Sequence, residues 1–157
     1  MSVIIPGSYD PPTLGHLDVI RRVAEEEDEV YAVVFNNPEK EYMFSPEDRA
    51  RMLMLATEEL ENVLVSYSDG FVIDYMRDHG IDGIVKGYRN DSDLEWERVQ
   101  ADYNLRMGGF ETRLLPCDPT LSAVSSTAAR EAIREGRDLS ELLPRSVAEY
   151  IKDLLNI

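Results

Sequence analysis

Apolar and polar positions along this chain follow two alternating patterns. Short β-prone runs at residues 3–6, 30–36, 62–66, 83–86 and 112–116 are each followed by a longer segment with helical spacing or a helical charge pattern. That rhythm predicts an α/β fold, a single Rossmann-like domain over residues 1–157 with a five-stranded parallel sheet flanked by helices. Several helix ends are legible. Ser45 is suited to cap, Pro46 to open a helix, and Glu47 and Asp48 to its positive end, before Met52, Leu53 and Leu55 supply the buried side. Gly108-Gly109 closes a helix carrying Glu95 to Met107. His79 before Gly80 reads as a helix C-terminal residue, and residues 147–155 as a last amphipathic helix.

Charge narrows the functions that such a fold can serve. With 31 acidic against 16 basic residues the net charge is −15, which repels nucleic-acid backbones and anionic lipid surfaces. A nucleic-acid or membrane-surface binder is excluded on that ground. The lone Cys117 cannot form an internal disulfide, and no apolar run approaches the ~20 residues of a membrane helix. The amino terminus lacks the basic start and apolar stretch of a signal peptide, so the expected compartment is the cytoplasm. With two histidines and one cysteine, no resident protein-bound metal is expected.

Ligands of a parallel α/β sheet bind beyond the carboxyl ends of its strands, where helix N-termini carry unsatisfied N–H groups. The first such loop runs Pro6-Gly7-Ser8-Tyr9-Asp10-Pro11-Pro12-Thr13-Leu14-Gly15-His16. Thr13 and His16, three apart, can face one point outside a helix start where an anion is favoured; equally, Thr13 can be a plain N-cap and His16 a solvated surface residue. Lys86-Gly87-Tyr88-Arg89 ends the fourth run, placing two cations either in an anion site or on a surface turn. Ser125-Ser126-Thr127 opens a helix, where its hydroxyls and backbone N–H groups can hold phosphate oxygens or its hydroxyls can simply cap. There is no G-x-G-x-x-G after a strand, no G-x-x-x-x-G-K-[ST] and no G-x-S-x-G, so a classical dinucleotide site, a P-loop and a serine nucleophile are all unsupported.

The segments Gly7-Ser8-Tyr9-Asp10-Pro11 and Thr13-Leu14-Gly15-His16 resemble the G-[TS]-F-D-P-x-[TH]-x-G-H signature of the nucleotidyltransferase superfamily. Within it, Tyr42-Met43-Phe44-Ser45-Pro46-Glu47-Asp48-Arg49, Lys86-Gly87-Tyr88-Arg89 with Asp93-Leu94-Glu95-Trp96-Glu97, and Val124-Ser125-Ser126-Thr127 resemble motifs of the bacterial phosphopantetheine adenylyltransferase family. The resemblance implies ATP contacts at Ser8, Tyr9, His16, Gly87, Tyr88, Arg89, Glu97, Leu121, Ser122, Ala123, Val124, Ser125, Ser126 and Thr127. It implies phosphopantetheine contacts at Ser8, Lys40, Val72 and Lys86, with His16 and Lys40 as the catalytic pair.

The implied reaction is attack of the 4′-phosphopantetheine phosphate on the α-phosphorus of ATP, giving dephospho-CoA and pyrophosphate in coenzyme A biosynthesis. The attacking phosphate is already anionic, so catalysis is expected from alignment and charge stabilisation, with Mg²⁺ carried on ATP oxygens. Three departures from the family pattern stand out. Ser8 replaces a commoner Thr, Lys86 a commoner Arg, and Glu39 and Glu41 flank Lys40 and weaken its attraction for anions. The rival readings are a nicotinate-mononucleotide adenylyltransferase, a cytidylyltransferase, or a non-catalytic adenine-nucleotide sensor on the same scaffold. The resemblance also implies a homohexamer.

Overall fold

The computed structural model describes residues 1–157. In chain order the elements are β1 (Ser2–Gly7), α1 (Leu14–Glu26), β2 (Glu29–Phe35), α2 (Pro46–Ala56), β3 (Val63–Ser68), α3 (Val72–His79), β4 (Gly83–Tyr88), α4 (Asp91–Gly108) and β5 (Thr112–Pro116), then a 3₁₀ turn at Pro119–Leu121, α5 (Ser126–Glu135) and α6 (Arg145–Leu155). The five strands form one all-parallel sheet in the order β3-β2-β1-β4-β5, the α/β Rossmann-like architecture expected.

Both faces of the sheet are covered, which is why its strands read as near-continuous apolar runs. On one face Val3, Ile5, Val30, Ala32 and Val34 pack against Val19, Ile20 and Val23 of α1 and Ala50 and Leu53 of α2. Ile4, Val33 and Ile84 point to the other face, toward Met76 of α3 and Ile81. A third cluster joins Ala129, Ala132 and Ile133 of α5 to Val147 and Ile151 of α6 and to Phe44 and Met52. It clamps α5 against α2 and so brings Ser125 to the edge of the sheet where the first loop lies. The amide of Leu14 donates to the carbonyl of Leu142 at 2.9 Å, which ties that loop to the same unit.

The chain winds outward from β1 through β2 to β3, then crosses to β4 on the opposite side and continues to β5. Strands β1 and β4 therefore flank a topological switch point, where a crevice opens beyond their carboxyl ends. Their ladder covers only Val3↔Gly83 and Ile4↔Ile84, against six pairs between β1 and β2. Beyond Ile4 the two strands part, and Pro6, with no N–H to donate, sits in the gap.

Boundaries differ from the sequence reading by one or two residues in each of the first three strands, and at three further places. The fourth strand runs on through Tyr88, so Lys86 and Gly87 lie inside it and only Arg89 follows. Helix α4 begins at Asp91, one turn before Glu95, because Asn90 caps it by accepting from the amide of Asp93 at 2.9 Å. Helix α6 begins at Arg145 rather than at residue 147.

Candidate active site

Two cavities adjoin at the switch point. The first, about 360 Å³, is lined by the end of β1, the first turn of α1, Lys86 to Arg89, and Val124 to Thr127 at the start of α5. The second, about 240 Å³, lies between β1, β4 and α4 and includes Val72, Gln100 and Asn104. Ser8, Lys86, Trp96 and Glu97 face both.

His16 is the third residue of α1, and its place is set by a reciprocal cap. The Thr13 hydroxyl oxygen accepts from the His16 amide at 3.3 Å, while His16 Nδ1 accepts from the Thr13 amide at 2.9 Å. A backbone N–H can only donate, so Nδ1 carries the lone pair and the ring proton of the neutral imidazole sits on Nε2. Burial, reinforced by the cations Lys86 and Arg89, lowers the His16 pKa to about 4. The ring is half-buried and lines the first cavity, so the solvated-surface reading is wrong while the N-cap reading of Thr13 is right. At neutral pH His16 is an uncharged hydrogen-bond donor, unsuited to act as a base through Nδ1.

Tyr9 supports that ring from one side, with centroids 4.7 Å apart. It takes a left-handed conformation, φ 49°, and its buried hydroxyl donates to the Ile5 carbonyl at 2.7 Å. Burial pushes its phenol pKa up, so it stays protonated. Tyr9 thus meets the cavity as packing rather than through its hydroxyl.

Lys86 Nζ lies 3.3 Å from Glu97 Oε2, and Arg89 is paired with Asp93 at 3.0 Å. Each cation on the cavity wall therefore has one carboxylate partner on α4, which holds it in place without filling all its donors. Gly87 passes close to α1: a Cβ there would come within 2.7 Å of Val19 Cγ2, so the strand can carry the cavity wall only with no side chain at this point.

At the start of α5 the three hydroxyls have separate tasks. Ser125 accepts from the Ala128 amide at 3.0 Å, Ser126 donates to the Pro11 carbonyl at 2.8 Å, and Thr127 accepts from Arg130 at 3.2 Å. The amides of Ser126 and Thr127, in contrast, have no acceptor in the chain and stand at the helix N-terminus on the cavity wall. An anion is favoured there by free N–H groups and by the dipole.

Of the residues singled out from the sequence, Ser8, Tyr9, His16, Gly87, Tyr88, Arg89, Glu97, Val124, Ser125, Ser126 and Thr127 all line the first cavity. Ser8, Val72 and Lys86 line the second. Leu121, Ser122 and Ala123, in and just after the 3₁₀ turn, line neither. Lys40 is exposed at the tip of the loop between β2 and α2, also outside both linings. Residues not singled out include Glu97's helical neighbours Gln100, Ala101 and Asn104 on the second cavity, a set whose i, i+3, i+4, i+7 spacing marks one face of α4. Cys117 also reaches the first cavity, but burial pushes its thiol pKa up and leaves it a poor nucleophile.

A cytidylyltransferase-like family profile matches residues 4–132, from the first strand through most of α5. The chain is similar to the phosphopantetheine adenylyltransferase of Thermobifida fusca (strain YX), with 37% identity over 150 residues that cover 96% of this chain and 92% of the relative. Both matches span the His16 cap, the β4 cations and the start of α5, and the chain belongs to the cytidylyltransferase-like family, among its phosphopantetheine adenylyltransferases.

Proposed function

We propose that this enzyme transfers the adenylyl group of ATP to 4′-phosphopantetheine, giving dephospho-CoA and pyrophosphate. The observation that carries the reading is the pair of adjoining cavities with a common wall at the sheet's switch point. The first holds the ATP phosphates against the free amides of Ser126 and Thr127 and beside Arg89; the second takes the pantetheine arm along Val72 and α4. Their reacting phosphates meet at Ser8 and Lys86.

In the reaction an oxygen of the phosphopantetheine phosphate forms a bond to the α-phosphorus, and the bond from that phosphorus to the bridging oxygen breaks. Pyrophosphate leaves with the electron pair, and no proton need be removed from the nucleophile. His16 donates Nε2–H to an α-phosphate oxygen as charge develops on it, and Lys86 and Lys40 stabilise the transferring phosphates. No three His, Cys, Asp or Glu side chains are grouped to cage a metal ion, so Mg²⁺ would be held chiefly by the nucleotide and would supply charge neutralisation beside Lys86 and Arg89.

A homohexamer fits the same reading. Its support is the apolar run along α4, where Trp96, Val99, Tyr103 and Met107 are all more than half exposed. The setting is the cytoplasm, in keeping with the single free thiol of Cys117. No helix is long and apolar enough to cross a membrane. Pyrophosphate release measured with ATP plus phosphopantetheine, with ATP plus nicotinate mononucleotide, and with ATP alone tests the assignment. Release is expected only with phosphopantetheine; equal release with nicotinate mononucleotide, or none with either, refutes it.

A further inference from the structure

Arg49 is the bulkiest fully buried side chain of the protein, and it makes no direct ion pair: Asp10, whose negative charge acts on it at longer range, lies 3.9 Å from Arg130. Burying a guanidinium without a directly paired carboxylate is unfavourable, and an apolar residue of similar volume would fill the same space at less cost. Its contacts show what the charge and the fork are used for. Nε donates to the Phe44 carbonyl at 3.0 Å, Nη1 to the Ser8 carbonyl at 3.0 Å, and Nη2 to the Asn36 side-chain oxygen. The guanidinium carbon stands over the Tyr42 ring, 3.8 Å from its centroid.

Three of those four contacts, Asn36, Tyr42 and Phe44, belong to the loop between β2 and α2, and the fourth is the turn that carries Ser8. The loop is further closed on itself: the Tyr42 hydroxyl accepts from the Asn37 amide at 3.0 Å, and the Asn37 carbonyl accepts from the Lys40 amide at 3.0 Å. Asp10 grips the same loop, its two carboxylate oxygens accepting from the amides of Met43 and Phe44 at 2.9 and 3.0 Å. The result is a frame pinned at both ends, with Lys40 at its tip and Ser8 at its base.

We propose that Arg49 is a positioning residue for adenylyl transfer, acting through Tyr42 and the Ser8 carbonyl to hold the Lys40 loop in register with the reacting phosphates. This rests on the reading of Lys40 as a catalytic residue, and the experiment separates the two. Steady-state pyrophosphate release is measured for Arg49→Lys, Tyr42→Phe and Lys40→Ala, and for each of the first two combined with Lys40→Ala. Arg49→Lys keeps the charge but loses the fork, and Tyr42→Phe keeps the stack but frees the Asn37 amide.

Lys40→Ala is expected to lower kcat at least about tenfold. Arg49→Lys should lower kcat by about 10- to 100-fold, the range for a misplaced catalytic group, and Tyr42→Phe by severalfold, with KM for ATP changed less than about twofold. In the Lys40→Ala background Tyr42→Phe should not lower kcat further, and Arg49→Lys, which also frees the Ser8 carbonyl, should lower it by a smaller factor than in the native chain. A residue that served only the fold would reduce activity by the same factor in both backgrounds, and that result overturns the proposal while leaving Lys40 catalytic. Full turnover of Lys40→Ala removes the Lys40 reading and the proposal with it. Should Arg49→Lys not fold, Tyr42→Phe decides: an unchanged kcat, or a loss that persists without Lys40, counts against the frame.

Discussion

The protonation of His16 is a stability property as well as a chemical one, and it can be isolated by a single substitution. His16→Asn retains an oxygen near the position of Nδ1 that can accept from the Thr13 amide, so the cap persists while the titrating group is lost. In the native protein the imidazole pKa falls from an ordinary 6.5 to about 4. Between those values the unfolded chain binds a proton that the folded chain does not, so stability declines as pH falls through that window and is fully present above 6.5. At pH 5.5, one unit below the ordinary value, the loss amounts to at most about 1.4 kcal/mol. Urea unfolding of the native protein and of His16→Asn at pH 7.5 and 5.5 reads it directly. The native protein is expected to lose about 1 kcal/mol more than the variant over that interval. With only two imidazoles in the chain, and His79→Gln to identify each, NMR gives an independent reading. One ring should carry its proton on Nε2 at neutral pH and titrate near 4. Equal pH dependence of the two proteins, or a midpoint near 6.5 with the proton on Nδ1, would refute the reasoning.

Three further outcomes follow from the same geometry. Asp10→Asn leaves one acceptor facing the two amides of Met43 and Phe44, so urea unfolding should show a loss of about 1.5–3 kcal/mol. Gly87→Ala drives a methyl against the stiff Val19 side chain and should destabilise by about 1–3 kcal/mol, and Val19→Ala added to it should cost less than it does alone. At net charge −15 the folded chain repels itself, so its urea midpoint should rise between about 0.05 M and 1 M NaCl as screening shortens the reach of charge; a flat response would show that the acidic surface is already well dispersed.

The inner strands β1, β2 and β4 were legible because residues 3–5, 30–34 and 84–85 are apolar on both faces, and the ends of α2, α3 and α4 because Ser45, Gly80 and Gly109 are the residue types that such ends demand. The order β3-β2-β1-β4-β5 was not, since which strand neighbours which is decided by crossover packing rather than by any one segment. The His16 cap escaped for a chemical reason: a capping box usually carries Glu or Gln at its third residue, and here an imidazole accepts in their place. Arg49 was visible only as part of a motif, because an arginine on a helix with polar neighbours reads as solvated, and its burial depends on carbonyls that Ser8 and Phe44 deliver from distant positions. Of the hydroxyls and main-chain N–H groups that Ser125 to Thr127 offered to an anion, folding commits each hydroxyl to a protein partner and leaves the amides of Ser126 and Thr127 for that task.

Because Ser8, Lys86, Trp96 and Glu97 border both cavities, on the proposed assignment the new bond would form at the partition between them. Each reactant would lie on one side of that partition, but dephospho-CoA, the joined product, would straddle it. A tethered molecule collects the contacts of both halves while surrendering its freedom of movement once, so the product should leave more slowly than either reactant. An unreactive compound of the same span should for that reason outcompete mimics of either half.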